Sequence, residues 1–409
     1  MAIAVSSCKD KYIEIFMANS PIYMSYETLR QSVKQTDSRI LKEPGKIYFK
    51  DNYIFVVEKM EGIHVINNID PANPQNLTFI EIPGNVDLAI KGTVLYADSY
   101  VDMVVIDISD LSNIKEVNRV EKILPYTLPS PNEDYPIAQL DEEKGVVVGW
   151  EIKKVRQVIN NRHYPIYYER NNLASSDISQ IGVGGISNSG VGVGGSMARF
   201  GIKDNTLYAV DNQQLHILNI STPANPEQLN DFYAGWAIET MFILNDKMFF
   251  GTQSGMIIYD ISSPTSPSFV SSFWHITGCD PVIVKDTIAY VTLRGGNMCG
   301  NALNELDVVS LAKLEEPNLI KTYPMSGPYG LGIDENILFI CDGDAGLKIY
   351  DASDPLTIDD NMLAHFPEIQ AFDVIPINGV LILIGEDGIY QYDYQDIENI
   401  QLISKIVIG

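Results

Sequence analysis

Basic residues are scarce in this chain: 28 Lys and Arg stand against 53 Asp and Glu, a formal net charge of −25. That balance excludes the electrostatics of a nucleic-acid binder, whose clustered cations release counterions from phosphates. It equally disfavours adsorption to an anionic membrane surface. Cysteine is rare too, with only Cys8, Cys279, Cys299 and Cys341. No CxxC pair occurs, so neither a zinc motif nor a disulfide scaffold is expected. No apolar run reaches the roughly 20 residues that cross a bilayer as a helix. The 3.6-residue helical period is missing as well. Histidine occurs five times, and no His, Ser and Asp recur at triad-like spacing. No catalytic residue, metal ligand or cofactor is therefore assigned.

What the chain does have is apolar and aromatic alternation. Hydrophobic residues make up 45%, with 22 Tyr and 14 Phe, enough for a large core and suited to half-buried strands. An apolar stretch ending in Asp or Asn recurs, as in Met103-Val-Val-Ile-Asp107, Leu215-His-Ile-Leu-Asn219, Met256-Ile-Ile-Tyr-Asp260 and Leu347-Lys-Ile-Tyr-Asp351. The marked positions are 67, 107, 160, 219, 260, 307, 351 and 393, with gaps of 40, 53, 59, 41, 47, 44 and 42. Five of the seven gaps match the period of a four-stranded propeller blade, roughly 40 to 50 residues. The expected fold is an all-β β-propeller of eight blades with four antiparallel strands each, seven being the alternative.

The segment after position 320 shows the internal order of one unit. Tyr329–Ile333 reads as a first strand, Ile337–Cys341 as a second and Leu347–Tyr350 as a third. A fourth is expected near Asn361 to His365. The repeated Asp has a structural explanation: its carboxylate accepts from a backbone N–H two residues on, forming an Asx turn. The following Pro then stops the ladder. Cys341, inside an apolar run, reads as a buried thiol. His64 and His216 share one repeat position, which points to rings facing outward or half-buried.

The Asp-Ile-Ser that closes several of these strands resembles the LVIVD-repeat family of bacterial and archaeal surface proteins. The resemblance runs over residues 45–409 and is clearest at 84–112, 205–228, 247–267 and 330–355. It implies a propeller and brings no catalytic motif. The leader, including Tyr23-Met-Ser-Tyr-Glu-Thr-Leu-Arg30, resembles that of lipoproteins from Bacteroidota. Val5-Ser-Ser-Cys8 resembles a lipobox, although the segment before it is shorter than a full signal peptide. The expected organisation is a signal remnant at 1–8 with Cys8 lipidated, a tether at 9–44, and the propeller from 45 to 409. Part of the tether is expected to cover a blade edge.

Irregular parts of a repeat more often carry function. Residues 161–198 form an insertion whose glycine-rich tract, Ile181 to Gly195, superficially resembles a phosphate loop. No helix pattern or Lys-Ser/Thr pair follows, so a flexible or closely packed loop is expected instead. Tyr164, Tyr167 and Tyr168 precede it. Cys279 and Cys299 fall in one repeat and can pair in an oxidising compartment. Asp342-Gly-Asp344 has oxygen ligands for Ca²⁺ but not the rest of a known loop.

First strands line the channel of a propeller. Aligning the units on their second strands makes Lys46, Asp87, Gln139, Arg199, Met241, Pro281, Gly330 and Asp373 equivalent. Closure of the ring sets Lys46 between Asp373 and Asp87. Such a group is either a paired salt-bridge cluster or a site for a small polar or cationic ligand. Lys46, Asp87, Gln139, Arg199 and Asp373 are the binding candidates. The expected function is a non-catalytic binding or scaffolding module on the bacterial cell envelope, as an outer-membrane or surface lipoprotein. Its partner is an unspecified protein or glycan, and it meets the membrane only through a lipid anchor. The alternative is an enzyme with a small-molecule or glycan site at the channel mouth.

Overall fold

A computed structural model describes residues 12–159, 191–194, 198–274, 281–295 and 304–409. The chain folds as two units, one of residues 33–124 and 178–409 and one of residues 1–32 and 125–177. Among the described residues no helix is long and apolar enough to cross a membrane.

The larger unit is a propeller of seven antiparallel meanders, each drawn from one stretch of chain. Blades 1 to 7 span residues 44–81, 88–120, 200–233, 238–274, 282–324, 331–366 and 371–407. Seven is the lower of the two blade counts the periodicity allows. In blade 6 the strands are Leu331–Asp334, Ile337–Cys341, Leu347–Asp351 and Met362–Phe366, close to the pattern read from the residues alone.

Both faces of each blade are covered by neighbouring blades, so its middle strands read as continuous apolar runs. The core lies between the blades. Val57 and Ile63 of blade 1 pack with Leu95 and Val104 of blade 2. Ile47 and Ile54 of blade 1 pack with Ile375 and Ile382 of blade 7, which closes the ring. Closure is reinforced by a parallel bridge between Leu41 and Ile408 and by the Gly409 N–H donating to the Leu41 carbonyl at 2.8 Å.

The repeated stop is built as expected. Oδ1 of Asn67, Asp107, Asn219, Asp260, Asp351 and Asp393 each accepts from the N–H two residues on, at 2.8 to 3.0 Å. Blade 5 departs from the alignment. The third strand there is Glu305–Ser310, and Ile288 pairs with Ser310. Ser310, not Asp307, is the equivalent residue, and its Oγ accepts from Ala312 N–H at 3.4 Å. Asp307 sits inside the strand, buried, and accepts from Thr322 Oγ1 at 2.6 Å.

Blade 1 carries two additional strands. Lys34–Asp37 pairs with the outer strand Gln75–Glu81 and covers that edge. Val193–Gly194 pairs with the inner strand Pro44–Lys50. Here the end of the glycine tract lies against Tyr48, whose hydroxyl donates to the Gly192 carbonyl at 2.8 Å and accepts from Ile90 N–H at 3.2 Å. A Cβ on Gly192 would stand 2.2 Å from Tyr48 Cε1, so only glycine fits this close approach.

The smaller unit corrects two expectations. The described residues 135–159 do not form a blade, and residues 125–159 belong to the smaller unit rather than to the propeller. Instead Val146–Ile159 pairs along Tyr12–Met24 as a two-stranded antiparallel ribbon. Asn19 ties the preceding loop to it: its Nδ2 donates to the carbonyls of Asn132 and Tyr135, and its Oδ1 accepts from Asn132 N–H. The apolar run Val146-Val-Val-Gly-Trp150 suits a strand, but such a run does not say which partner the strand will find.

Candidate functional site

The site is built on the inner strands of the propeller. Counting back four residues from the end of each inner strand, at the first hairpin, selects Lys46, Asp87, Arg199, Thr240, Pro281, Gly330 and Asp373 in blades 1 to 7. Four of the five binding candidates, Lys46, Asp87, Arg199 and Asp373, thus fall at one level in consecutive blades. Gln139 does not. It is exposed in the smaller unit, because the stretch it was aligned from is no blade. Thr240 takes the level assigned to Met241, because the second strand begins at Lys247, paired with Leu244, and the register runs unshifted from there to Thr240.

Lys46 Nζ meets Asp87 Oδ2 at 2.6 Å, with the Lys46 side chain 16% exposed. The same Asp87 oxygen accepts from Arg199 N–H at 2.5 Å, and Asp87 Oδ1 accepts from Leu88 N–H. Asp373 is buried, and its Oδ1 accepts from Val374 N–H. Arg199 Nε reaches the Glu239 carbonyl at 3.4 Å, and Glu239 Oε1 accepts from Gln253 Nε2 at 2.9 Å.

The residue that alignment missed is Asp98. It stands across the hairpin from Asp87, and its Oδ1 accepts from Asn85 Nδ2, Val86 N–H and Asp87 N–H at 2.8, 2.8 and 2.9 Å. A signal existed: an acid closes the apolar second strand in Ala97-Asp98, Val210-Asp211 and Cys341-Asp342. Asp211 and Asp342 likewise accept two loop N–H groups each.

Burial sets the protonation of this group. It lowers the Lys46 ammonium, against the pull of Asp87. It pushes Asp98 up to about 6, against the Asp87 and Val86 N–H groups. It holds Asp373 well above the usual carboxylate range, opposed by Val374 N–H and Lys46. Perturbed groups gathered at one level mark a candidate site, although structural ion pairs shift protons in the same way. Chemically, the cluster is a floor of prepaired charges with one carboxyl, Asp98, pushed up to about 6 by burial.

His64 and His216 do share one register position, but both are buried rather than outward. His64 Nε2 pairs with Glu58 Oε2 at 2.9 Å and His216 Nδ1 with Asp231 Oδ1 at 3.0 Å. Cys341 is a free, buried thiol. Asp342 is engaged by Lys348 at 2.6 Å. Among the described residues no group of His, Cys, Asp or Glu is placed to hold a metal ion. Cys8, Cys279, Cys299, Tyr164, Tyr167 and Tyr168 lie outside the described residues.

The geometry defines a seven-bladed β-propeller. The LVIVD repeat family matches residues 84–122, 249–274 and 330–357, which fall in blades 2, 4 and 6. No curated protein matches the chain. Among solved structures the chain is similar to Sqt1 of Saccharomyces cerevisiae, at 8% identity and a TM-score of 0.51, over 96% of this chain and 89% of that one. It is also similar to the computationally designed Ika8 protein, at 12% identity and a TM-score of 0.50, over 91% and 88%. At such identities the likeness concerns the fold alone.

Proposed function

We propose that this propeller is a binding or scaffolding module without catalytic activity, anchored on the bacterial cell envelope through a lipid on Cys8, as an outer-membrane or surface lipoprotein. Its partner is a protein or glycan of that envelope. One observation carries the binding reading: the charges on the inner strands are spent on each other and on backbone N–H groups. Asp87 serves Lys46 and Arg199, and Asp98 serves three donors. Such a floor can orient polar groups of a partner but presents no activated nucleophile. The anchor rests on Val5-Ser-Ser-Cys8, and the likeness to LVIVD repeats agrees with a surface role. Metabolic labelling with an alkyne fatty acid tests it: label and membrane fractionation should both vanish in Cys8→Ala. Equal labelling of that variant would remove the anchor.

One observation favours an enzyme instead. Asp98, pushed up to about 6 by burial, faces Asp87 across one hairpin, and a carboxyl held protonated by burial can serve as a general acid. Turnover of any member of a glycoside and ester panel, lost in Asp98→Asn with folding intact, would establish that reading over the first.

A further inference from the structure

We propose that the face of blades 3 and 4 carrying Tyr233, Trp236 and Trp274 docks a cationic, Arg- or Lys-bearing segment of a partner protein; the inference rests on the binding-module reading. The chain has three tryptophans. Two of them, Trp236 and Trp274, are 63% and 64% exposed, and Tyr233 is 56% exposed. Indoles and phenols normally find cover, and clusters of them left in water mark interaction sites.

The backbone is shaped to expose Trp236. Ala234 and Ala237 on either side are buried. A Cβ on Gly235 would lie 2.6 Å from Ile257 Cδ1. Ala237 adopts the left-handed region at φ 53°, which is unfavourable for a residue with a side chain. The turn is thus clamped at both ends, and strain of this kind gathers where a side chain must be displayed. Trp236 and Trp274 flank one hairpin. Gln253 N–H donates to the Ala237 carbonyl at 3.1 Å, and Gly255 pairs with Trp274. Tyr233, on the neighbouring blade, pairs with Gln214. Gln253 also holds Glu239, whose carbonyl Arg199 contacts, so the aromatic face adjoins the charged inner strands.

Charge selects the partner. At the strand ends that carry the aromatic residues, blades 3 and 4 place Asp211, Asp231 and Glu239 against Arg199, whereas Asp204, Asp246 and Asp260 lie at the opposite ends with Lys203 and Lys247. An aromatic face in an acidic field attracts guanidinium and ammonium groups through both ring and carboxylate. A second copy of this chain, at −25, is repelled, as is an anionic membrane. A neutral glycan can stack on indoles but makes no use of the acids.

The test titrates the full chain with hexa-arginine and, separately, with cellohexaose, following tryptophan fluorescence; Trp150 in the smaller unit serves as a constant background. Hexa-arginine should quench and shift the emission, and Trp236→Ala with Trp274→Ala should weaken its binding at least tenfold at unchanged thermal midpoint. An acidic control on another blade, Asp396→Asn with Glu398→Gln, should change affinity less than twofold. Equal affinity of the tryptophan double variant, or binding of cellohexaose in place of the peptide, would overturn the proposal. An envelope partner retained by wild type and double variant alike would remove this surface while leaving the binding module standing. Loss of both peptide binding and any retained partner would remove both.

Discussion

Glu58 shows how much one buried side chain can hold. Its carboxylate accepts from Lys42 N–H at 3.1 Å and Glu43 N–H at 2.6 Å while pairing with His64. It therefore fastens the segment beside Leu41, where the ring closes. Burial works against its charge, but the His64, Glu43 and Lys42 contacts outweigh burial and hold the carboxyl below its ordinary value of 4.5. A lowered acid contributes stability above its unfolded value and loses it as pH falls through the folded one. Glu58→Ala, which removes the partner of buried His64 and of two part-buried N–H groups, should cost about 1–3 kcal/mol at pH 7 by urea denaturation, and the cost should shrink below pH 4.5. Asp98 has the opposite sign. Its folded value of about 6 exceeds the ordinary 3.8, so its contribution is complete below 3.8 and is lost as pH rises through 6. The amide of Asp98→Asn can still accept from Val86 and Asp87. Relative to wild type, that variant should therefore gain stability as pH rises from 4 to 6.5, and a flat or falling difference would refute the assignment. The acid level at Lys46, Asp87, Arg199 and Asp373 was legible from repeat alignment. Asp98 had a fainter signal, the acid that also closes the second strand at Asp211 and Asp342, and its place beside Asp87 comes from the hairpin between the two strands.

At the scale of the element, the turn after each third strand is the part of the fold most legible in sequence. An acid or amide makes the same hydrogen bond in six blades, with Ser two residues on in four of them and Pro four residues on in four, and its chemistry is local. Ser310 was illegible for the same reason: a hydroxyl makes this turn weakly, at 3.4 Å, so the nearby Asp307 drew the alignment away. Asn67→Ala and Asn219→Ala should each cost about 1 kcal/mol in chemical denaturation. Ser310→Asn should instead raise stability by about 0.5 kcal/mol by installing the stronger acceptor; destabilisation would place Ser310 outside the turn. The ribbon was misread because alternation is common to any half-buried strand. Length was the available clue. Val146–Ile159 and Tyr12–Met24 run 14 and 13 residues, whereas the blade strands run four to seven. Two long runs of matched length suit each other and no blade.

At the scale of the molecule, the count of seven follows from which stretches can be covered on both faces. Each blade needs two neighbours to bury its strands, and the ring supplies them only if blade 1 meets blade 7. A closed ring is energetically unlike an open array, in which the end units have one neighbour and fray independently. Leu41, Ile47 and Ile375 share the closing cluster, while Met256 lies in the cluster around blades 4 to 6. Leu41→Ala and Ile375→Ala should each cost about 2–5 kcal/mol. Once either has loosened the closure, the second has less to lose, so the double variant should fall short of the sum by more than about 0.5 kcal/mol. Leu41→Ala with Met256→Ala, at separate interfaces, should add to within about 0.5 kcal/mol. Calorimetry of the Leu41→Ala, Ile375→Ala double variant should also show a separate early transition, as terminal blades 1 and 7 open before the rest. A single sharp transition with additive costs would mean that the seam between blades 7 and 1 is no weaker and no more decisive than any other, and that closure does not govern the stability of the ring.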